Sequence, residues 1–202
     1  MTVMIDYGVG NLFSLTSSFE ALGAKITVSS DPAVLRAADR LILPGVGAFR
    51  DAADKLRASG LDTVIIDEVK RGKKLLGICL GMQMLFEKSY EYGEYKGLGL
   101  LKGEIRPIAE VIDPTLKIPH IGWNALHFHK ACPLFRYLDE GDFVYFVHSY
   151  YATGCEDSLV ATAEYSADLT AAVWQGNLYG CQFHPEKSGT VGLKILKAFL
   201  QL

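Results

Sequence analysis

The chain reads as an α/β protein: a mostly parallel sheet covered by helices, with additional antiparallel strands in its second half. Three observations predict this. Short apolar runs alternate with helix-period patterns through the first half; one run, Lys74 to Ile78, is apolar enough to be buried on both faces; and past about residue 95 strand-like runs replace helices. Alternating β and α elements build a parallel sheet with helices over it, and strands buried on both faces belong to such sheets.

The elements follow in order. Thr2 to Asp6 is a brief apolar run, after which Leu12, Leu15, Phe19 and Leu22 recur at steps of three and four, a helix face that Gly23 is placed to end. Lys25 to Ser29 reads as the next strand, Asp31-Pro32 can cap and start a short helix, and Arg40 to Leu43 is a strand ending at Pro44-Gly45. Leu61, Val64, Ile65 and Val69 give a further helical face before the Lys74 to Ile78 strand, and a helical pattern runs from Met82 to Phe86. Strand-like runs then lie at Gly97 to Ile105, Asn124 to Phe128, Asp142 to His148 and Leu159 to Tyr165. Leu169 to Gln175 and Leu178 to Phe183 flank Gly176-Asn177, a two-residue hairpin turn. The chain closes with Gly189 to Leu202, where Leu193, Leu196, Phe199 and Leu200 form an apolar stripe for the core.

Length and composition predict one unit over 1–202. At 202 residues with 50% hydrophobic and 21% charged content, the chain buries a sizeable core without a disulfide or structural metal, and no low-complexity tract divides it. The net charge of −3, with scattered Lys and Arg, points away from nucleic acid and from anionic membrane surfaces. The N-terminus has no signal-peptide pattern and no apolar run approaches the ~18 residues of a membrane span, so a cytoplasmic location is expected. Cys79, Cys132, Cys155 and Cys181 form no CxxC pair, which argues against a zinc site or a disulfide framework. Gly8-Val-Gly10 lacks the third glycine of a dinucleotide loop, Phe13 standing there, and reads as a tight turn. His127 and His129 share a strand face but have no third ligand nearby. No cofactor and no metal are expected.

Three motifs carry chemistry. Gly77-Ile-Cys-Leu-Gly81, between a buried strand and a helical pattern, is the cysteine version of a nucleophile elbow, in which small flanking residues relieve a sharp turn. It sets Cys79 at the start of a helix, where unpaired N–H groups favour an anion. A lone cysteine is more often buried and inert, and this motif by itself does not separate the two readings. Gln182-Phe-His-Pro-Glu186 ends the hairpin strand. In a parallel sheet, catalytic groups gather beyond the carboxyl ends of strands, so His184 could meet Cys79 as a base with Glu186 orienting it. Pro44-Gly-Val-Gly47 leaves backbone amides free, one of which could face an oxyanion; spacing does not distinguish this from a plain turn.

Pro44-Gly-Val-Gly47, Gly77-Ile-Cys-Leu-Gly-Met-Gln83 and Gln182-Phe-His-Pro-Glu-Lys-Ser188 together resemble the class I glutamine amidotransferases. Asp6-Tyr-Gly-Val-Gly-Asn11, Pro119-His-Ile-Gly-Trp-Asn124 and Tyr145-Phe-Val-His-Ser-Tyr-Tyr151 further resemble the branch serving a histidine-biosynthetic cyclase, and the likeness spans nearly the whole chain. It implies a flavodoxin-like α/β fold and a glutaminase domain over 1–202. By position, the resemblance implies Cys79 as nucleophile, His184 as base and then acid, and Glu186 as its orienter. Leu80 and the Val46 and Gly47 segment would supply oxyanion amides; Gln83 and the main chain of Ser149 and Tyr150 would grip L-glutamine; and His120, Trp123, Asn124 and Lys187 would lie toward a barrel-shaped cyclase subunit in a heterodimer. Lys74 departs from the proline expected before the nucleophile strand and touches no catalytic role. The rival readings are an amidotransferase subunit of another synthase, a general cysteine hydrolase and a non-catalytic partner-binding homologue. The 119 to 124 and 145 to 151 motifs argue against the first, the glutamine-gripping residues against the second, and the intact cysteine, histidine and glutamate set against the third.

Overall fold

The computed structural model describes residues 1–202. Its first half contains β1 (Thr2–Ile5), α1 (Leu12–Ala21), β2 (Thr27–Ser29), α2 (Pro32–Ala37), β3 (Arg40–Leu43), α3 (Phe49–Ala58), α4 (Leu61–Lys70), β4 (Lys74–Ile78) and α5 (Leu80–Gln83). Short strands follow: β5 (Lys88–Ser89), β6 (Tyr95–Lys96), β7 (Glu104–Pro107), β8 (His120–Ala125) and β9 (His127–Phe128). The remainder is β10 (Phe143–His148), β11 (Tyr150–Thr153), β12 (Leu159–Glu164), β13 (Asp168–Gln175), β14 (Leu178–Cys181) and α6 (Gly189–Leu200).

An eight-stranded sheet in the order β2-β1-β3-β4-β14-β13-β12-β9 organises the molecule. Pairing is parallel from β2 through β14 and antiparallel from β14 outward. A two-stranded sheet, β10-β8, and a four-stranded sheet, β11-β7-β5-β6, are built from the second half. The large sheet is covered on both faces. Val3, Ile5, Leu41, Leu43 and Leu75 point into a buried cluster with Phe49, Leu56 and Ile65 from α3 and α4. Met4, Ile42, Leu76 and Ile78 point the other way, toward Leu15 and Phe19 of α1 and Leu196 and Phe199 of α6. This strict alternation on the same strands is why, after a polar first residue (Thr2, Arg40, Lys74), their sequences carry no further polar side chain.

The local signals act largely as expected. Asp31 Oδ1 accepts from the Ala33 amide at 2.8 Å to cap α2, and Gly23 follows α1 in the left-handed region at φ 72°. Gly176, at φ 59°, and Asn177 join β13 to β14 with Gln175 opposite Leu178. Several expectations fail in part: the run Met82 to Phe86 is helical only through Gln83, and Asn124 to Phe128 is divided between β8 and β9, which lie in different sheets. Gly97 to Ile105 is not one strand: β7 begins only at Glu104, and Leu98 and Leu101 are buried in an irregular segment instead. The helix α3 was not foreseen, because its buried face of Phe49, Ala52, Ala53 and Leu56 is made half of alanine. Lys74 reaches the Leu202 carbonyl oxygen at 2.5 Å, which ties the start of β4 to the end of the last helix. No helix is long and apolar enough to cross a membrane.

What places the site is the join between β4 and β14. Gly77 lies opposite Gly180 and Ile78 opposite Cys181, and the Cys79 amide continues the ladder to the Cys181 carbonyl at 2.8 Å. Asn177 holds the other end of this join, its Nδ2 donating to the carbonyls of Val69 at 2.8 Å and Lys73 at 2.7 Å. Replacing Asn177 with Ala orphans both carbonyls. The expected outcome is a loss of about 2 kcal/mol in urea unfolding; an unchanged midpoint would show that water replaces the side chain without cost.

Candidate active site

Cys79 stands at φ 54° and ψ −114° between β4 and α5, a backbone conformation that L residues rarely adopt. Crowding explains its glycine neighbours. A Cβ on Gly77 would sit 2.7 Å from the Gly81 oxygen, and one on Gly81 would run into the Leu43 carbonyl. The Pro44 to Gly47 loop is pressed against the same turn: a Cβ on Gly45 would lie 2.7 Å from the Gly81 nitrogen, whereas Gly47 has open space but φ 89°. Tyr7 pins this loop by donating from its hydroxyl to the Pro44 carbonyl at 2.8 Å. Burial, reinforced by the neighbouring Cys79, pushes the Tyr7 phenol well above its usual range and keeps it a donor.

His184 follows β14 as Cys79 follows β4. Its amide donates to the Tyr145 carbonyl at 2.9 Å, and Ser188 Oγ donates to the His184 carbonyl at 2.6 Å. Its Nδ1 meets Glu186 Oε1 at 2.8 Å, with both side chains almost fully buried. Burial by itself would lower the His184 pKa, but polar contact with Cys79 and Glu186, together with their charges, outweighs it and raises the value to about 10. The imidazole is therefore protonated at neutral pH.

Cys79 and His184 line one cavity of about 470 Å³, along with Val46, Gly47, Leu80, Gln83, Ser149 and Tyr150. Three titratable side chains of the lining have no role in the sequence-based expectation. Glu91, the only acidic residue of the lining, accepts from the Phe49 amide at 2.6 Å and so caps α3; burial raises its pKa. Tyr92 lines the same rim. His148 donates through Nδ1 to the Tyr150 carbonyl at 2.8 Å, and burial lowers its pKa to about 4, so it is neutral. No local motif marks Glu91 or Tyr92; His148 stood inside the Tyr145 to Tyr151 motif without a role.

The residues expected toward a partner divide. Trp123 and Lys187 are exposed beside Tyr145: the Trp123 ring lies 6.1 Å from its ring and the Lys187 ammonium 5.8 Å. Ile121 and Phe143 lie exposed on the same small sheet. His120 is instead buried, stacked on Phe146 and Tyr165, and reaches Asn124 at 3.2 Å. His127 and His129 engage Glu140 and Thr162 separately, at 3.3 Å and 2.9 Å. No group of three His, Cys, Asp or Glu side chains is placed to hold a metal ion.

A cysteine on a strained strand-to-helix turn, faced by a carboxylate-bound imidazolium at the carboxyl edge of a parallel sheet, defines an acyl-transfer site of the thiol type. The model of the class-I glutamine amidotransferase family matches residues 3–202, and the chain belongs to that family. It is 52% identical to the imidazole glycerol phosphate synthase subunit HisH of Bacillus licheniformis, over 100% of this chain and 96% of that protein. The HisH subunit of Syntrophotalea carbinolica is 48% identical over 98% of both chains. Among solved structures, a glutamine amidotransferase superposes with TM-score 0.77 at 19% identity, covering 98% of this chain and 97% of that one. PurLQS from Thermotoga maritima gives 0.77 at 21% identity, covering 99% and 97%. At such identities these two show the shared fold.

Replacing Glu186 with Gln removes one of the two partners, the other being Cys79, that hold the proton on His184. The imidazole titration followed by nitrogen NMR is expected to fall from about 10 by about one unit or more. Because the folded value is raised, the stabilisation is complete below the unfolded value of about 6.5 and is lost as pH rises toward about 10. Urea unfolding of the Glu186→Gln chain should therefore lose less stability across that window than the unaltered chain; equal losses would place the titration elsewhere.

Proposed function

We propose that this chain hydrolyses L-glutamine to L-glutamate and ammonia through a thioester on Cys79, and passes the ammonia to a separate cyclase subunit. That subunit would make imidazole glycerol phosphate and an aminoimidazole carboxamide ribotide, in line with the synthase-subunit names of its relatives. The observation that carries the reading is the shared cavity, where Cys79 faces the His184 and Glu186 pair at the ends of two neighbouring parallel strands.

In the first half-reaction Cys79 sulfur attacks the carboxamide carbon of glutamine, and the oxyanion is held by the Leu80 amide and an amide of the Val46 and Gly47 segment. The proton on His184 goes to the departing nitrogen, which leaves as ammonia. Neutral His184 then takes a proton from water, hydroxide attacks the thioester, and glutamate departs as the sulfur is released. Glu186 keeps the imidazole oriented throughout. Substrate orientation follows from the remaining polar groups. Glu91 supplies the one negative charge in the lining for the α-ammonium group, and the main chain of Ser149 and Tyr150 flanks the substrate's backbone groups. Both hydrogens of Gln83 Nε2 are engaged within the protein, by Tyr150 O at 3.2 Å and Gln182 Oε1 at 2.9 Å, so its carbonyl oxygen is the atom left to grip glutamine.

The exposed Ile121, Trp123 and Phe143 form an apolar face on the β8 and β10 sheet, with Lys187 beside it. The cyclase docks there, with Asn124 at the edge and His120 behind it. Cys79→Ala is expected to abolish glutamate release from the complex, by at least about a thousandfold, and a glutamine-like electrophile should label Cys79 alone by mass mapping. Persistent hydrolysis would refute the nucleophile. Trp123→Glu is expected to raise the dissociation constant for the cyclase subunit by at least about thirtyfold in calorimetry; an unchanged constant would move the interface elsewhere.

A further inference from the structure

Gln182 belongs to none of the roles above, yet it is completely buried beside the nucleophile. Its Nε2 lies 3.7 Å from Cys79 Sγ, and its Oε1 accepts from Gln83 Nε2 at 2.9 Å. An amide buried without function costs more than an apolar side chain of the same shape, so its placement asks for a cause.

Which end of this amide faces the sulfur is decided by an atom that cannot flip. The Tyr150 carbonyl oxygen can only accept, so the Gln83 atom 3.2 Å from it must be the nitrogen. The second hydrogen of that nitrogen faces Gln182, whose nearer atom must then be oxygen. The remaining end of Gln182, toward Cys79, is consequently the N–H donor. Reversing Gln83 sets two acceptors against each other at the Tyr150 carbonyl, and reversing Gln182 sets two N–H donors against each other.

We propose that Gln182 is a dedicated hydrogen-bond donor to the Cys79 sulfur, held in that sense by the relay from the Tyr150 carbonyl through Gln83. The sulfur then sits between two donors, the imidazolium of His184 and this amide. The amide stabilises negative charge on sulfur before attack and again when the thioester breaks. This deepens the proposed glutaminase reading and rests on Cys79 as its nucleophile.

The test is the pH dependence of Cys79 alkylation by iodoacetamide in the full chain, read by mass, for the unaltered protein and Gln182→Met. A lost donor makes the thiolate scarcer but more nucleophilic. The midpoint should move upward by about one pH unit. With a Brønsted coefficient of about 0.4–0.5, the two curves should cross: the variant is about threefold slower well below the midpoint and about threefold faster on the alkaline plateau. A merely structural role scales the whole curve without crossing, and that result overturns the proposal. Should Gln182→Met fail to fold, the unaltered chain still decides: the Gln182 side-chain amide resonances should shift in step with the alkylation midpoint, and invariance overturns the assignment. Glutamate release by Cys79→Ala would sink the underlying nucleophile reading, whereas an inactive Cys79→Ala with coincident alkylation curves removes only Gln182.

Discussion

The parallel pairing of β4 with β14 is the constraint on which the site depends. Cys79 and His184 are far apart in the chain; Cys79 is the first residue after β4 and His184 the third after β14. They meet because Ile78 is opposite Cys181 and because the Cys79 amide carries the ladder one step further. A slip of one residue would turn every side chain of β14 to the other face and remove His184 from the cavity. That register is secured at one end by the Asn177 side chain and at the other by glycines whose missing Cβ atoms let α5 fold tightly against β3 and β14.

Above this frame, the Tyr150 carbonyl sets the polarity of two hydrogen-bonded branches. One runs through Gln83 and Gln182 to the sulfur. The other runs outward: His148 is neutral and donates to the same carbonyl, so its Nε2 accepts from His120 Nδ1 at 3.0 Å, and His120 Nε2 accepts from Asn124 at 3.2 Å. Each tautomer follows from the one before it. Asn124 is anchored in turn to the Glu164 carbonyl at 2.7 Å. The small sheet that carries the exposed Trp123 is thus joined by oriented donors to the main chain that flanks the cavity.

The sequence disclosed what depends on local chemistry. The parallel strands were legible because burial on both faces demands unbroken apolar runs, and the hairpin at Gly176-Asn177 because only a few residue pairs make that turn. Cys79 and His184 stood out through motifs with steric reasons, which Gly77 and Gly81 display as direct backbone crowding. What stayed hidden depends on tertiary placement. The α3 helix was masked by Ala52 and Ala53, whose small side chains weaken the apolar period. Leu98 and Leu101 are as apolar as strand residues but fill the core from an irregular segment. Glu91 reaches the cavity by capping a helix that begins over forty positions earlier, and no spacing rule connects Glu91 to Phe49. His120 belongs to a recognisable motif, yet strand alternation turns it inward while Ile121 and Trp123 face out.

Two cysteines lie at this join, and the surroundings decide which one is able to react. Cys181 faces the core, with no exposed surface; burial, then the charges of Glu186 and Cys79, hold its thiol well above the usual range, and its only polar contact is the Gly77 carbonyl at 3.9 Å. It therefore stays protonated. Cys79, one residue past the strand end, leaves the ladder through its strained backbone and opens onto the cavity, where N–H donors replace the carbonyl and carboxylate that surround its neighbour. The same negative charges that protect Cys181 from ionising act through His184 to keep a proton ready beside Cys79. Burial thus silences one sulfur with help from the buried carboxylate of Glu186, and the same carboxylate, after Cys79 itself, helps to equip the acid next to the other.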